Sequence, residues 1–241
     1  MSDVPMTPAG GARSEVRAGL VARVTQVGVS FAGLAAILFL SAGTLAWPGA
    51  WAYLAIYLAA GAVIGTTLLR RSLEMLAERG RPRERGRDVT IASLWALAQY
   101  VLVPLVAGFD LRFGWAGALG PALVIAGGVA FAAGLALFGW AMAANAFFST
   151  GVRIQADRGQ TVCRAGPYRF VRHPGYLGAN VMAIGGALLL GSAWALVPAI
   201  AAVILMDVRT LREDRMLLAG LPGYREYAEQ VRYRTVPGVW W

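Results

Sequence analysis

The chain has no lysine, a single cysteine, Cys163, and a single histidine, His173, in 241 residues. One cysteine excludes a disulfide framework and a zinc site built on paired thiolates. Charged residues are also scarce, at 15% against about 25% in soluble domains. The apolar set makes up 58% of the chain. That leaves too little polar surface to cover the apolar mass in water, and the composition is the opposite of a disordered chain's. Deep charges are missing as well. Through the first four apolar runs Gln99 is the most polar interior side chain, whereas ion and substrate paths place ionisable groups at depth. This counts against a transporter.

What the chain has is long apolar runs. A membrane crossing needs about 20 mostly apolar residues. Runs at about 24–47, 51–69, 90–109 and 119–145 meet that length, with Pro48-Gly49 as a turn between the first two and Asp110 and Arg112 between the third and fourth. The stretch 176–206 is too long for one upright helix at about 1.5 Å per residue. It reads as a tight hairpin bent at Gly191-Ser192 or near Pro198, for six helices in all; one kinked helix, for five, is the competing count. The expected fold is therefore an all-α integral membrane protein of about six transmembrane helices.

The net charge of +9 comes from 22 arginines. No soluble basic domain exists to carry nucleic acid, so the charge is read as orientation. With both termini in the cytoplasm, 21 of the 22 arginines fall on the cytoplasmic side and only Arg112 outside, a strong positive-inside pattern. Five helices would put the arginines of the tail on the wrong face. Arginine as the sole basic residue, with much Ala and Gly, suits a GC-rich bacterial genome and hence an inner membrane. The first apolar run exceeds a signal-peptide core in length and precedes no evident cleavage site. Residues 1–23 are expected to be a disordered cytoplasmic segment and 24–145 four anchoring helices. Gly61 and Gly65 form a small-xxx-small pair on the second helix, a packing contact or chance at this glycine content.

Polar residues gather at 145–180 and 207–233, both on the expected cytoplasmic face. The first stretch holds Gly166-Pro167-Tyr168-Arg169 and then Arg172-His173-Pro174-Gly175-Tyr176-Leu177-Gly178. The second holds Arg212-Glu213-Asp214-Arg215 and then Tyr224-Arg225-Glu226-Tyr227, and Pro237-Gly238 follows just beyond it. This succession resembles the isoprenylcysteine carboxyl methyltransferase and phospholipid methyltransferase superfamily, over roughly the last hundred residues. The first 140 match only in being helices. The resemblance implies an integral membrane methyltransferase that uses S-adenosylmethionine, with residues 146–241 as its core, a C-terminal helical hairpin and a cytosolic cofactor pocket. It places Tyr168, Arg172, His173, Pro174, Tyr176, Leu177, Gly178, Glu213 and Asp214 around the cofactor. Glu213-Asp214 stands where the family usually has Glu-Glu.

The residue types suit such a ligand. A carboxylate accepts from an ammonium or ribose hydroxyls, and arginine or a histidine N–H donates to a carboxylate. Tyr168 and Tyr176 can stack on adenine or face a sulfonium. Gly178 permits close backbone approach. Pro174 fits a helix start, whose N-terminus would face an anionic group. Neighbours on a helix point about 100° apart, so Glu213 and Asp214 are unlike in role, with Glu213 the better direct ligand. Arg153, Arg169 or Arg209 would orient an anionic acceptor, and spacing does not choose among them. The partner is a lipophilic acceptor with a carboxylate, amine or thiol.

Blander readings exist for the same residues. His173 can cap a helix, Glu213 and Asp214 can pair with neighbouring arginines, and Tyr224 and Tyr227 can anchor at the headgroups. Asn145 can cap the fourth helix, and Cys163 can be a small apolar residue. The rival functions are an NADPH-dependent membrane reductase of the sterol reductase type and a non-enzymatic scaffold or transporter. Sterol reductases tend to carry an acidic residue soon after the equivalent of Tyr176; Leu177, Gly178, Ala179 and Asn180 follow here instead.

Overall fold

A chain this apolar must satisfy its backbone hydrogen bonds within each segment, and helices do so. The computed structural model describes residues 9–71, 87–115, 117, 119–149 and 151–240. Among the described residues every regular element is helical. α1 spans Ala9–Ala42 and α2 Pro48–Arg71. α3, Arg87–Leu97, runs through a π-helical turn at Ala98–Leu102 into α4, Val103–Phe113. α5 spans Pro121–Ala144, α6 Pro174–Leu189, α7 Leu196–Gly220 and the short α8 Tyr224–Gln230. Among the described residues four segments are long and apolar enough to cross a membrane: Thr25–Ala42, Pro48–Thr67, Val89–Phe113 and Pro121–Ala144. Their large side chains point outward, with Leu40, Val63, Ile125 and Val129 each at least 65% exposed, a surface that matches lipid rather than water.

Several ends differ from the sequence reading. α1 begins at Ala9, so residues 9–23, expected to be disordered, are helical, in keeping with their Ala, Arg and Glu content; residues 1–8 lie outside the described residues. Pro48 and Gly49 open α2 rather than forming the turn before it, a position where proline loses no helical bond. Asp110 and Arg112 fall in the last turn of α4, which continues until left-handed Gly114 (φ 65°) donates its N–H to the Asp110 carbonyl. The arginines from Arg79 to Arg85 lie outside the described residues.

The apolar stretch 176–206 divides into α6 and α7, with Gly191 turning at φ 76°. Pro198 sits in the first turn of α7, where no helical bond is lost. The turn is tied down by Ser192, whose hydroxyl donates to Asp110 Oδ2 at 2.6 Å and accepts the Ala195 N–H at 3.0 Å. Gly49 lies against Leu189 and Leu190 at the same end. The α1–α2 turn, the end of α4 and the α6–α7 turn therefore share one end of the bundle.

The seam between α5 and α6 is made by glycines. A Cβ on Gly134 would lie 2.5 Å from the Met182 amide nitrogen, and one on Gly178 2.7 Å from the Gly134 carbonyl. Gly127 and Gly185 are equally tight, at 2.5 Å from Leu189 N and 2.4 Å from Phe131 N. Each helix thus presents glycines seven residues apart, and the backbones approach as only small residues permit. Gly61 and Gly65 have nothing within 4 Å, so the small-xxx-small pair makes no contact among the described residues. Gly134→Ala is expected to destabilise by about 1–3 kcal/mol through overpacking, whereas Gly61→Ala is neutral or slightly stabilising. Thermal unfolding of both variants in one detergent checks this; equal shifts would remove the seam from the account.

Candidate functional site

At the other end of α6 the chain arrives through a 3-10 turn, Gly166–Arg169, then Phe170 to His173. Pro174 takes the first helical position of α6, and the His173 side chain makes no cap. His173 instead turns towards α7, its Nε2 lying 3.1 Å from Asp214 Oδ1. This replaces the capping alternative.

Asp214 collects the site. Its side chain is fully buried. Arg172 donates from Nε to Oδ1 at 2.9 Å and from Nη2 to Oδ2 at 3.0 Å, a bidentate pair. Arg234 Nε donates to Oδ2 at 2.8 Å, and the Tyr224 hydroxyl to Oδ1 at 2.9 Å. Arg172 Nη1 also reaches the carbonyls of Val231 and Arg232, at 2.9 and 2.6 Å. The backbone repeats the join: Arg172 N–H donates to Tyr233 O and His173 N–H to Arg234 O. One carboxylate thus holds the Arg-His-Pro segment, α7, α8 and the tail together. Burial alone would raise the Asp214 pKa, but the hydrogen bonds and charges of His173, Arg172 and Arg234 hold it well below the usual carboxylate range. Burial, then the neighbouring carboxylate, pushes the Tyr224 hydroxyl up, so it stays a donor.

Beside this knot is an open cavity. Glu213 enters it and accepts from the Tyr176 hydroxyl. Asn145, Phe148, Gln160 and Gly175 form other parts of its wall. Asn145 closes α5 and links the site to the 3-10 turn, its Nδ2 donating to Tyr168 Oη at 3.3 Å. Burial raises the pKa values of Tyr168 and of Cys163, so both stay protonated at neutral pH.

The candidate residues from the sequence separate into groups. Arg153, Tyr168, Arg172, His173, Tyr176 and Glu213 line the cavity. Asp214 lies behind it, inside the knot. Pro174, Leu177 and Gly178 are not in its wall; Gly178 faces Gly134 and Phe138 across the helix seam. Arg153 stands at the exposed rim, paired with Asp157 at 2.8 Å. Arg169 is exposed and lies over the Phe170 ring. Arg209 is buried and stacks on the Tyr176 ring at 5.7 Å. Tyr224 and Tyr227 are not headgroup anchors. Both point inward, and Tyr227 donates to the Tyr168 carbonyl at 2.7 Å.

Sequence reasoning missed Arg234 and the loop glutamines. Gln155 is 1% exposed and donates to the Phe147 carbonyl at 2.7 Å, while its own N–H is accepted by Gln160 Oε1. Amides in an irregular segment carry no periodicity that would single them out.

Asp214→Asn is expected to cost about 3–5 kcal/mol, because it leaves buried Arg172 and half-buried Arg234 without their counter-charge. The folded-state pKa is depressed, so the carboxylate's contribution is complete above the unfolded value of about 3.9. It is lost as pH falls towards the folded value. The Tm gap between wild type and variant should be constant at neutral pH and shrink below about pH 4. A gap that widens on acidification would contradict the assignment.

Residues 126–219 match the model of the isoprenylcysteine carboxyl methyltransferase (ICMT) family. The matched segment takes in most of α5, all of α6 and most of α7, including the Arg-His-Pro turn, Glu213 and Asp214. A search of curated proteins finds no match. Over that segment, in its C-terminal half, this helical chain is similar to the ICMT family, a family of membrane methyltransferases.

Proposed function

We propose that the protein transfers a methyl group from S-adenosylmethionine to a lipophilic acceptor at the cytosolic face of a bacterial inner membrane. The observation that carries this reading is the cavity holding Glu213 and Tyr176 against the Asp214 knot, within the segment that matches the family. The donor set fits the cofactor. Glu213 offers a carboxylate to an ammonium or to ribose hydroxyls, Asn145 and Gln160 offer amides, and Phe148 and Tyr176 offer ring faces to adenine or to a sulfonium. Arg153 at the rim is placed to meet a carboxylate.

Bound S-adenosylmethionine supplies a methyl group on an activated sulfonium, so alignment is most of what the protein must add. Glu213 and Tyr176 orient through their shared hydrogen bond, and Arg209 braces the Tyr176 ring from outside the cavity wall. The Asp214 knot keeps α6, α7 and the tail in register around them. Six passes are proposed: α1, α2, α3 with α4, α5, α6 and the apolar first half of α7. Residues 24–145 then serve as anchor and substrate wall, and 146–241 as the core. The arginine distribution supports two cytoplasmic termini.

Calorimetric titration with S-adenosylhomocysteine and with NADPH tests the proposal. Saturable binding of the first ligand alone is expected, weakened roughly 10- to 100-fold by Glu213→Gln, which removes a charge-assisted hydrogen bond. Binding of NADPH alone would assign the protein to the reductases. A folded protein that binds neither would leave a scaffold.

A further inference from the structure

The loop that forms one wall of the cavity carries a donor whose direction is already set. The Gln155 N–H donates to Gln160 Oε1 at 2.7 Å, and the Gln160 N–H donates to the Gln155 carbonyl at 3.2 Å. A backbone N–H only donates, so the amide oxygen of Gln160 faces Gln155 and its NH2 group faces away. The Gln155 side chain is buried and pins the loop from beneath. Its Nε2 donates to the Phe147 carbonyl at 2.7 Å, and its Oε1 accepts from Arg158. Gln160 lines the cavity, and its Nε2 has no acceptor among the described residues and is not enclosed by them.

Three parts of S-adenosylmethionine can accept from an N–H: its carboxylate, its ribose oxygens and the ring nitrogens of adenine. The surroundings of Gln160 separate them. Two residues on, Val162 lines the same cavity and packs against the apolar cluster of Leu217 and Leu221, which line it too. A carboxylate set against that wall would lose its hydration with only a neutral amide in exchange, whereas Arg153 offers it a charged donor. Ribose hydroxyls donate as well as accept, and the Glu213 carboxylate beside Tyr176 is the acceptor that suits them. Adenine is a flat, largely apolar ring whose acceptors lie in its plane. Laid against Val162, Leu217 and Leu221, it meets the Gln160 NH2 group at its edge.

We infer that Gln160 reads the base of the cofactor, its Nε2 donating to a ring nitrogen of adenine. This deepens the methyltransferase reading and rests on it. A glutamine free to turn can donate to one base and accept from another. Tied through its oxygen to the Gln155 N–H, Gln160 can only donate. The cavity therefore selects a base with a bare ring nitrogen at that edge, and a base with a C–H or N–H there is disfavoured.

Calorimetric titration of the full chain in detergent tests the inference with five ligands. These are S-adenosylhomocysteine, its 1-deaza, 3-deaza and 7-deaza analogues, each with one ring nitrogen replaced by C–H, and methylthioadenosine, which lacks the amino-acid carboxylate. Gln160→Glu keeps an oxygen for the Gln155 N–H and removes the donor. It is expected to weaken S-adenosylhomocysteine on the order of 10-fold, and methylthioadenosine by the same factor. One deaza analogue should bind wild type that much more weakly than the parent and be indifferent to Gln160→Glu, which a general disturbance of the loop would not produce. Three deaza analogues that all bind wild type like the parent, or methylthioadenosine unaffected by the variant, would overturn the inference. If Gln160→Glu does not fold, the comparison of analogues on wild type still decides. Failure of S-adenosylhomocysteine to bind wild type would sink the methyltransferase reading and this inference together. Binding to wild type that Gln160→Glu leaves unchanged would sink the inference alone.

Discussion

Asp214 is the constraint on which the site depends. A carboxylate removed from water is tolerated only when donors surround it, and here they come from three separate stretches of chain. Arg172 and His173 reach it from the start of α6, Tyr224 from α8 and Arg234 from the tail. Of these segments, α8 also docks through apolar contact, Tyr224 and Tyr227 packing with Leu217 and Leu221. Charge and hydrogen bonding therefore add to burial in joining these segments. The tail in turn carries Trp240, whose ring lies against Arg234, so the end of the chain is positioned by the same carboxylate.

The neighbouring acids divide the work by helical geometry alone. One residue apart on α7, they face different directions: Asp214 into the knot and Glu213 into the cavity. The shorter side chain suits the buried position, where donors close in from several sides. The longer one reaches into open space. The departure from Glu-Glu thus falls on the acid with the structural surroundings and leaves the cavity carboxylate as glutamate.

Much of this was legible in the sequence, for reasons that differ by element. Four apolar runs report their helices because lipid-facing surface needs no polar stripe, and length alone marks them. The Arg-His-Pro-Gly-Tyr run and the acidic pair signalled a site because polar residues stand out in so apolar a chain. Helix ends were less visible: nothing before the structure distinguished Pro48 as a helix start from Pro48 as a turn, or set the end of α4 at Gly114. The role of Gly178 was also out of reach. A glycine beside a proposed pocket reads equally as room for a ligand or room for a helix, and only the position of Gly134 separates the two. Asn180 donates a hydrogen bond to Asp207, 27 residues away, and their meeting follows from the pairing of α6 with α7 rather than from any local pattern.

The glycine seam has an evolutionary consequence. Contacts repeated at seven residues on both α5 and α6 suit a shallow left-handed crossing, as in coiled coils. Deleting one residue between Gly127 and Gly134 would rotate everything beyond it by about 100° and carry one of the two glycines off the seam. Inserting one would do the same in the opposite sense. Side chains that face lipid can drift among apolar types without such a penalty. This helix pair can therefore diverge widely in composition while its length stays frozen, and insertions and deletions are confined to the loops.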